Sequence, residues 1–173
     1  DAERVSELAA RADVLIESFG PGSLLERGID LEALRDANPA LVVLQISDFG
    51  QTGPYCDWIA TDATLEALGG MQFQAGLPEK PPLLPPGTPG YDIAGLMGAL
   101  AAMTALFQRG RNGGHGQVID LSTLEALAQQ TNWSFSNGTA NRAKGGDVQE
   151  VRVGSGPMYK IYACKTGYAR LVI

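Results

Sequence analysis

The sequence is short of the side chains on which much enzyme chemistry runs: it has one histidine and two cysteines, and aromatic residues make up 7% of it. The lone histidine, His115, sits in Gly113-Gly114-His115-Gly116, a turn leading into a strand. No serine or cysteine stands in a nucleophile elbow, so a hydrolase triad finds no support. Cys56 and Cys164 are far apart, and neither belongs to a Cys-x-x-Cys or Cys/His cluster, so no metal site is expected. They read as free thiols in a reducing cytoplasm, which is the expected location because no signal peptide is visible. No Gly-x-Gly-x-x-Gly follows a strand and no phosphate loop is present, so a sheet here need not bind a dinucleotide. The apolar run from Ile93 to Phe107 is interrupted by glycine and falls short of the roughly 20 residues of a membrane span. With a net charge of −6 and dispersed basic residues, nucleic acid is not an expected partner.

What is present is an alternation of helical and strand patterns over 173 residues, about one domain by length. Glu3 to Arg11 has helical spacing, and the apolar run from Ala12 to Phe19 ends at Gly20-Pro21-Gly22. Ser23 to Arg27 reads as a short helix. Asp30 caps a helix from Leu31 to Asn38, and Pro39 stops it before the strand Leu41 to Ser47. A helix over Asp62 to Leu68, a proline-rich loop from Leu77 to Gly87, a strand over Gln117 to Leu121 and a helix from Ser122 to Phe135 follow. Two near-continuous apolar strands joined by helical sequence predict an α/β fold, a Rossmann-like and mostly parallel sheet with flanking helices. Residues 1–136 form its large domain and 137–157 a glycine-rich loop or linker. Residues 158–173 begin a smaller β-containing domain, with a hairpin around Lys165-Thr166-Gly167. The chain opens on Asp1 and stops at Leu171-Val172-Ile173, inside strand-like sequence, so a fragment of something longer is expected.

Asp92 carries the most chemistry. Thr88-Pro89-Gly90-Tyr91-Asp92 delivers a carboxylate to the start of a helix, Ile93 to Gln108, that is rich in glycine and alanine. Unsatisfied N–H groups at a helix start favour a negative side chain. Asp92 fits an ordinary helix cap, and it equally fits a nucleophile that attacks an activated acyl group to form a mixed anhydride.

Four segments then make a pattern: Ala12-Asp13-Val14-Leu15-Ile16-Glu17-Ser18-Phe19-Gly20-Pro21-Gly22; Asn38-Pro39-Ala40-Leu41-Val42; Ile46-Ser47-Asp48-Phe49-Gly50-Gln51-Thr52-Gly53-Pro54-Tyr55; and Gly114-His115-Gly116-Gln117-Val118-Ile119-Asp120-Leu121-Ser122. In order and spacing they resemble the class III CoA-transferase family, which includes formyl-CoA transferase, over nearly the whole chain except Asn137 to Arg152. The resemblance implies transfer of coenzyme A between an acyl-CoA and a free carboxylic acid, through an anhydride on an enzyme aspartate, with CoA as substrate and no tightly bound cofactor. Asp92 matches that nucleophile.

The resemblance further implies that Gly154 and Gly156 belong to a glycine-rich loop near the active site, although a plain turn before a strand fits the same residues. It puts Asp62 at an acidic position near that site, where a cap for the helix from Ala63 is the alternative. For CoA it implies contacts from Ser18, Phe19, Gly20 and Arg27. Here the family's usual Asn-Phe-Arg-Pro-Gly is Ser18-Phe19-Gly20-Pro21-Gly22, so one amide and one guanidinium are missing, and Arg27 lies one place late. Racemases of 2-methylacyl-CoA on this scaffold use a His-Asp pair where this chain has Thr61-Asp62, which makes racemase or isomerase the second choice. A non-catalytic CoA-binding or dimerisation module is a third. Family members form interlocked homodimers, an arrangement expected here too, and residues Gln72 to Pro89 with Trp133 would shape acyl specificity.

Overall fold

The computed structural model describes residues 2–77, 79–132, 154–156 and 159–172. The first part is a layered α/β unit. Helix α1 (Ala2–Ala9) leads to strand β1 (Val14–Glu17), then helices α2 (Ser23–Glu26) and α3 (Leu31–Ala37) lead to β2 (Val42–Ser47). Helix α4 (Asp62–Leu68) and the long α5 (Pro89–Arg109) precede β3 (Val118–Ser122), and a helix, α6, occupies residues 123–132. The three strands form a parallel sheet in the order β1-β2-β3, with Val14 opposite Val42 and Val43 opposite Val118.

The central strand explains why its sequence does not alternate. Leu41 and Val43 belong to a core cluster with Ala9, Ile29 and Leu34 on one face. Leu44 and Ile46 lie against Gly98 of α5 on the other. A strand covered on both sides needs apolar residues at every position, and Leu41 to Leu44 are at most 1% exposed. Each such side chain contributes about 1.5–3 kcal/mol of burial.

Helix ends and turns follow the residue chemistry. Asp30 caps α3 as expected, accepting from the Glu32 and Ala33 amides at 2.9 and 3.4 Å. Asn38 uses its amide group twice, donating to the Ala9 and Ala12 carbonyls at 3.0 and 2.9 Å, so the Asn-Pro-Ala segment ties α1 to the entry of β2. Gly50 and Gly53 have φ of 90° and 102°, a region open mainly to glycine. The amide of Gln51 between them donates to the Asp120 carboxylate at 3.0 Å, joining two of the sequence segments that carry the family resemblance.

Two expectations need correction. The helix expected from Ile93 begins at Pro89, because proline with its fixed φ suits the first helical position. At 21 residues it is long and apolar enough to span a membrane, contrary to the shorter run read from the sequence. It is nonetheless a packed helix. Ala94, Gly98, Ala102 and Ala105 are buried along one stripe, and a Cβ at Gly98 would stand 3.0 Å from Leu44 Cδ2, so its small residues let it lie close on the sheet.

The second part is an antiparallel sheet, β4 (Gly154–Gly156), β5 (Tyr159–Ala163) and β6 (Tyr168–Val172), in that order. The hairpin expected at Lys165-Thr166-Gly167 is present, closed by the Cys164 amide donating to the Gly167 carbonyl at 2.9 Å. The expected loop 137–157 lies outside the described residues, except that residues 154–156 form β4.

Candidate active site

A cleft of about 690 Å³ opens at the carboxyl ends of β1 and β2, where ligands bind in open α/β sheets. Its rim is the turn after β1, including Ser18, Phe19 and Gly20; its floor includes Ile46, Ser47 and Asp48 after β2. Tyr91, Ala94 and Gly95 of α5 form one wall and Trp58 stands on another side. A Cβ at Gly95 would meet nothing within 4 Å, so this glycine faces open space and lets a ligand approach the helix backbone.

The rim is held by charge. Glu17, at the end of β1 and 6% exposed, accepts from the Phe19 amide and from Gln45 Nε2, each at 2.8 Å. The Arg27 guanidinium lies 4.7 Å from the centre of the Phe19 ring, a cation–π contact that covers one face of the ring. Three of the four expected CoA contacts therefore lie together on the cleft rim. Arg27 is not in the lining but braces Phe19. Phe49, Tyr55 and Trp58 pack edge-on and tilted, with centroids 4.5–6.4 Å apart, and stiffen the side that carries Trp58.

Asp92 is the fourth residue of α5. Its amide donates to the Thr88 carbonyl at 3.0 Å, and its carboxylate is exposed and makes no hydrogen bond among the described residues. It is therefore not the cap of its helix. Thr88 is the N-cap residue, with no capping bond from its side chain. The carboxylate that serves instead is Asp62, which accepts from the Tyr91 amide at 2.8 Å across 29 residues of sequence. Nor is Asp62 the cap of α4: Thr61 holds that place, accepting from Thr64 at 3.4 Å, and Asp62 is the first residue of that helix. Gly90 makes room for the bond, since a Cβ there would stand 2.6 Å from Asp62 Oδ1. Asp92 is not part of the cleft lining, whereas its neighbours Tyr91 and Gly95 are.

Sequence reasoning did not find several side chains around this turn. Glu66, one helical turn beyond Asp62, is 0% exposed, and its carboxyl is held above the usual range by burial first and then by the neighbouring acid Asp62. The Tyr91 phenol is likewise pushed up, by burial first and then by Asp48 and Asp62. Ser47 carries a buried hydroxyl at the cleft floor with no hydrogen-bond partner among the described residues. The clue for Glu66 was its place four residues after Asp62 in an otherwise apolar helix. Gly154 and Gly156 lie in β4, paired with Lys160 and Tyr159 of β5.

The whole chain, residues 1–173, matches the description "CoA-transferase family III". A succinyl-CoA–D-citramalate CoA-transferase of Chloroflexus aurantiacus is 39% identical over 71% of the chain and 30% of that relative. A formyl-CoA:oxalate CoA-transferase of Streptomyces avermitilis is 34% identical over 72% of the chain and 30% of the relative. The chain thus spans about a third of the length of the curated relatives it matches. Among solved structures, a CAIB/BAIF family protein from Brucella suis superimposes with a TM-score of 0.81 at 30% identity, over 96% of this chain and 44% of that one. Matched along its full length and in its fold, the chain belongs to CoA-transferase family III.

Proposed function

We propose that the full-length protein transfers coenzyme A from an acyl-CoA to a free carboxylic acid, with Asp92 as the nucleophile. The observation that carries this reading is the Asp92 carboxylate itself. It stands exposed at the start of α5, without a hydrogen-bond partner among the described residues, while Asp62 takes over the capping task. A carboxylate with no structural duty beside a cleft is free to react.

The steps balance. Asp92 attacks the donor thioester carbonyl, and the C–S bond breaks to give a mixed anhydride and CoA thiolate. The thiolate attacks the aspartyl carbonyl of the anhydride, which releases the donor acid as carboxylate and leaves an Asp92–CoA thioester. The acceptor carboxylate attacks that thioester and forms a second anhydride. The thiolate then attacks the acceptor acyl carbon, giving acceptor acyl-CoA and free Asp92. Each tetrahedral species needs N–H donors for its oxyanion, a role that the resemblance gives to Gly154 and Gly156. Ser18, Phe19 and Gly20 would hold CoA on the cleft rim, with Arg27 behind Phe19.

Relatives named for succinyl-CoA, formyl-CoA and acetyl-CoA support a short acyl donor. The reading includes an interlocked homodimer in the cytoplasm, where acyl-CoA is supplied. Racemisation is less well supported: Thr61 caps α4 and Asp62 is bound to the Tyr91 amide, which leaves neither as a proton-transfer partner.

The test is to incubate the full-length protein with a panel of acyl-CoA thioesters, quench with hydroxylamine and map the hydroxamate by peptide mass spectrometry. A hydroxamate on the Asp92 peptide, absent in Asp92→Ala, is expected. Exchange of the acyl α-proton with deuterated water and no adduct would replace this reading with racemase; neither signal would leave a binding module.

A further inference from the structure

Glu66 has no part in the steps above, yet it is among the most enclosed side chains of the molecule. At 0% exposure, both of its carboxyl oxygens are buried, and neither finds a hydrogen-bond donor among the described residues. An ionised carboxylate in that position is strongly disfavoured unless it is paired. The charged group that acts on it is Asp62, another acid, four residues earlier on the same helical face. Two carboxylates have no proton to share, whereas a protonated acid beside a carboxylate makes a strong O–H···O bond.

Asp62 cannot easily be the proton holder. Its Oδ1 accepts from the Tyr91 amide, and a carboxylate is the better acceptor for a helix N-terminus. Tyr91 of α5 contributes its amide, and its phenol also feels the negative charge of Asp48. Helix α6 presents Leu127, which touches the Gly69 and Gly90 positions on either side.

We propose that Glu66 holds a proton and donates it to Asp62, and so acts as a positioning residue for the turn that presents Asp92. The chain of contacts is short: Glu66 orients Asp62, Asp62 holds the Tyr91 amide, and the next residue is Asp92. Burial raises the proton affinity of Glu66 and so keeps the donor in place at neutral pH. The effect on catalysis rests on the reading of Asp92 as nucleophile; the protonation of Glu66 does not.

The full-length protein with Glu66→Gln and Glu66→Leu tests this. The glutamine amide can donate the same hydrogen bond, and leucine cannot. The infrared spectrum of the wild type at about pH 6, where a free glutamate is ionised, is expected to show a protonated carboxyl band that Glu66→Gln lacks. For transfer, Glu66→Leu is expected to lower kcat about tenfold with KM within about twofold, and Glu66→Gln to restore most of it, as for a misplaced reacting group. Should Glu66→Leu fail to fold, the band and the pH dependence of unfolding decide. A raised acid weakens the fold as pH climbs above 4.5, and that decline is expected to be smaller in Glu66→Gln. Absence of the band, an unchanged decline, or equal damage from glutamine and leucine would overturn the proposal. Loss of transfer activity in every form, including the wild type, with the band present would remove only the catalytic reading of Asp92.

Discussion

Replacing Gly90 with alanine separates a glycine that shapes the site from one that merely packs. The new Cβ would lie 2.6 Å from Asp62 Oδ1 and 3.1 Å from Leu127 Cδ1. Asp62 cannot yield freely, because its Oδ1 holds the Tyr91 amide at 2.8 Å. If the backbone gives way, overpacking costs about 1–3 kcal/mol. If Asp62 turns aside, a part-buried helix-start amide loses its acceptor, a cost of about 1 kcal/mol or more. Alanine's better helix propensity returns about 0.5–1 kcal/mol. The net expectation is a loss of about 1 kcal/mol. Gly98→Ala is the control: its Cβ meets the ends of Leu44 and Ile46 at 3.0 and 3.5 Å, flexible atoms that can shift, so propensity and crowding nearly cancel, within about 0.5 kcal/mol. Urea unfolding of the full-length protein, with midpoints compared at constant slope, measures both. Gly90→Ala as stable as the wild type, or Gly98→Ala the more damaging of the two, would refute the reasoning.

Three further outcomes follow from single contacts. Arg109 donates to the Ala40 carbonyl at 2.9 Å and pairs with Asp13 at 2.7 Å, where Asp13 is 75% exposed. Arg109→Ala should therefore cost about 1 kcal/mol through the carbonyl bond, and Asp13→Ala under about 0.5, as measured by thermal unfolding. Tyr91 has its phenol pKa raised from 10.0, so the fold has that group's full contribution below pH 10 and loses it as pH rises through the higher native value. Ultraviolet titration should show one late-ionising tyrosine that Tyr91→Phe removes. Phe19→Ala takes away a cleft rim residue and the face on which Arg27 stacks, so KM for acyl-CoA should rise about tenfold with kcat little changed, as steady-state kinetics can establish.

Much of the fold could be read from local pattern. The apolar run Leu41 to Leu44 identified a strand covered on both faces, Asp30 ahead of Leu31 marked a helix start, and Lys165-Thr166-Gly167 marked a hairpin. In each case the cause lies within a few residues, in side-chain spacing, a capping oxygen or a φ open to glycine. The four segments that resemble the family also held, because Asn38, Gly50 and Asp120 each do a specific backbone job.

Other features waited on the tertiary structure. Pattern alone left Asp62 as a possible cap of its own helix and Asp92 as a possible cap of the next. Crossing the chain back on itself gave Asp62 to the Tyr91 amide and left Asp92 without a hydrogen bond among the described residues. The enclosure of Glu66 depends on α4 packing against its neighbours, and no rule about residues four apart distinguishes a solvated acid from a buried one. Sequence by itself determined the elements, their order and the family, since those rest on short-range periodicity and contiguous motifs. Only the tertiary structure decided which carboxylate caps, which is enclosed and which stands free, because desolvation and hydrogen bonding between groups 29 residues apart exist only once the helices have packed.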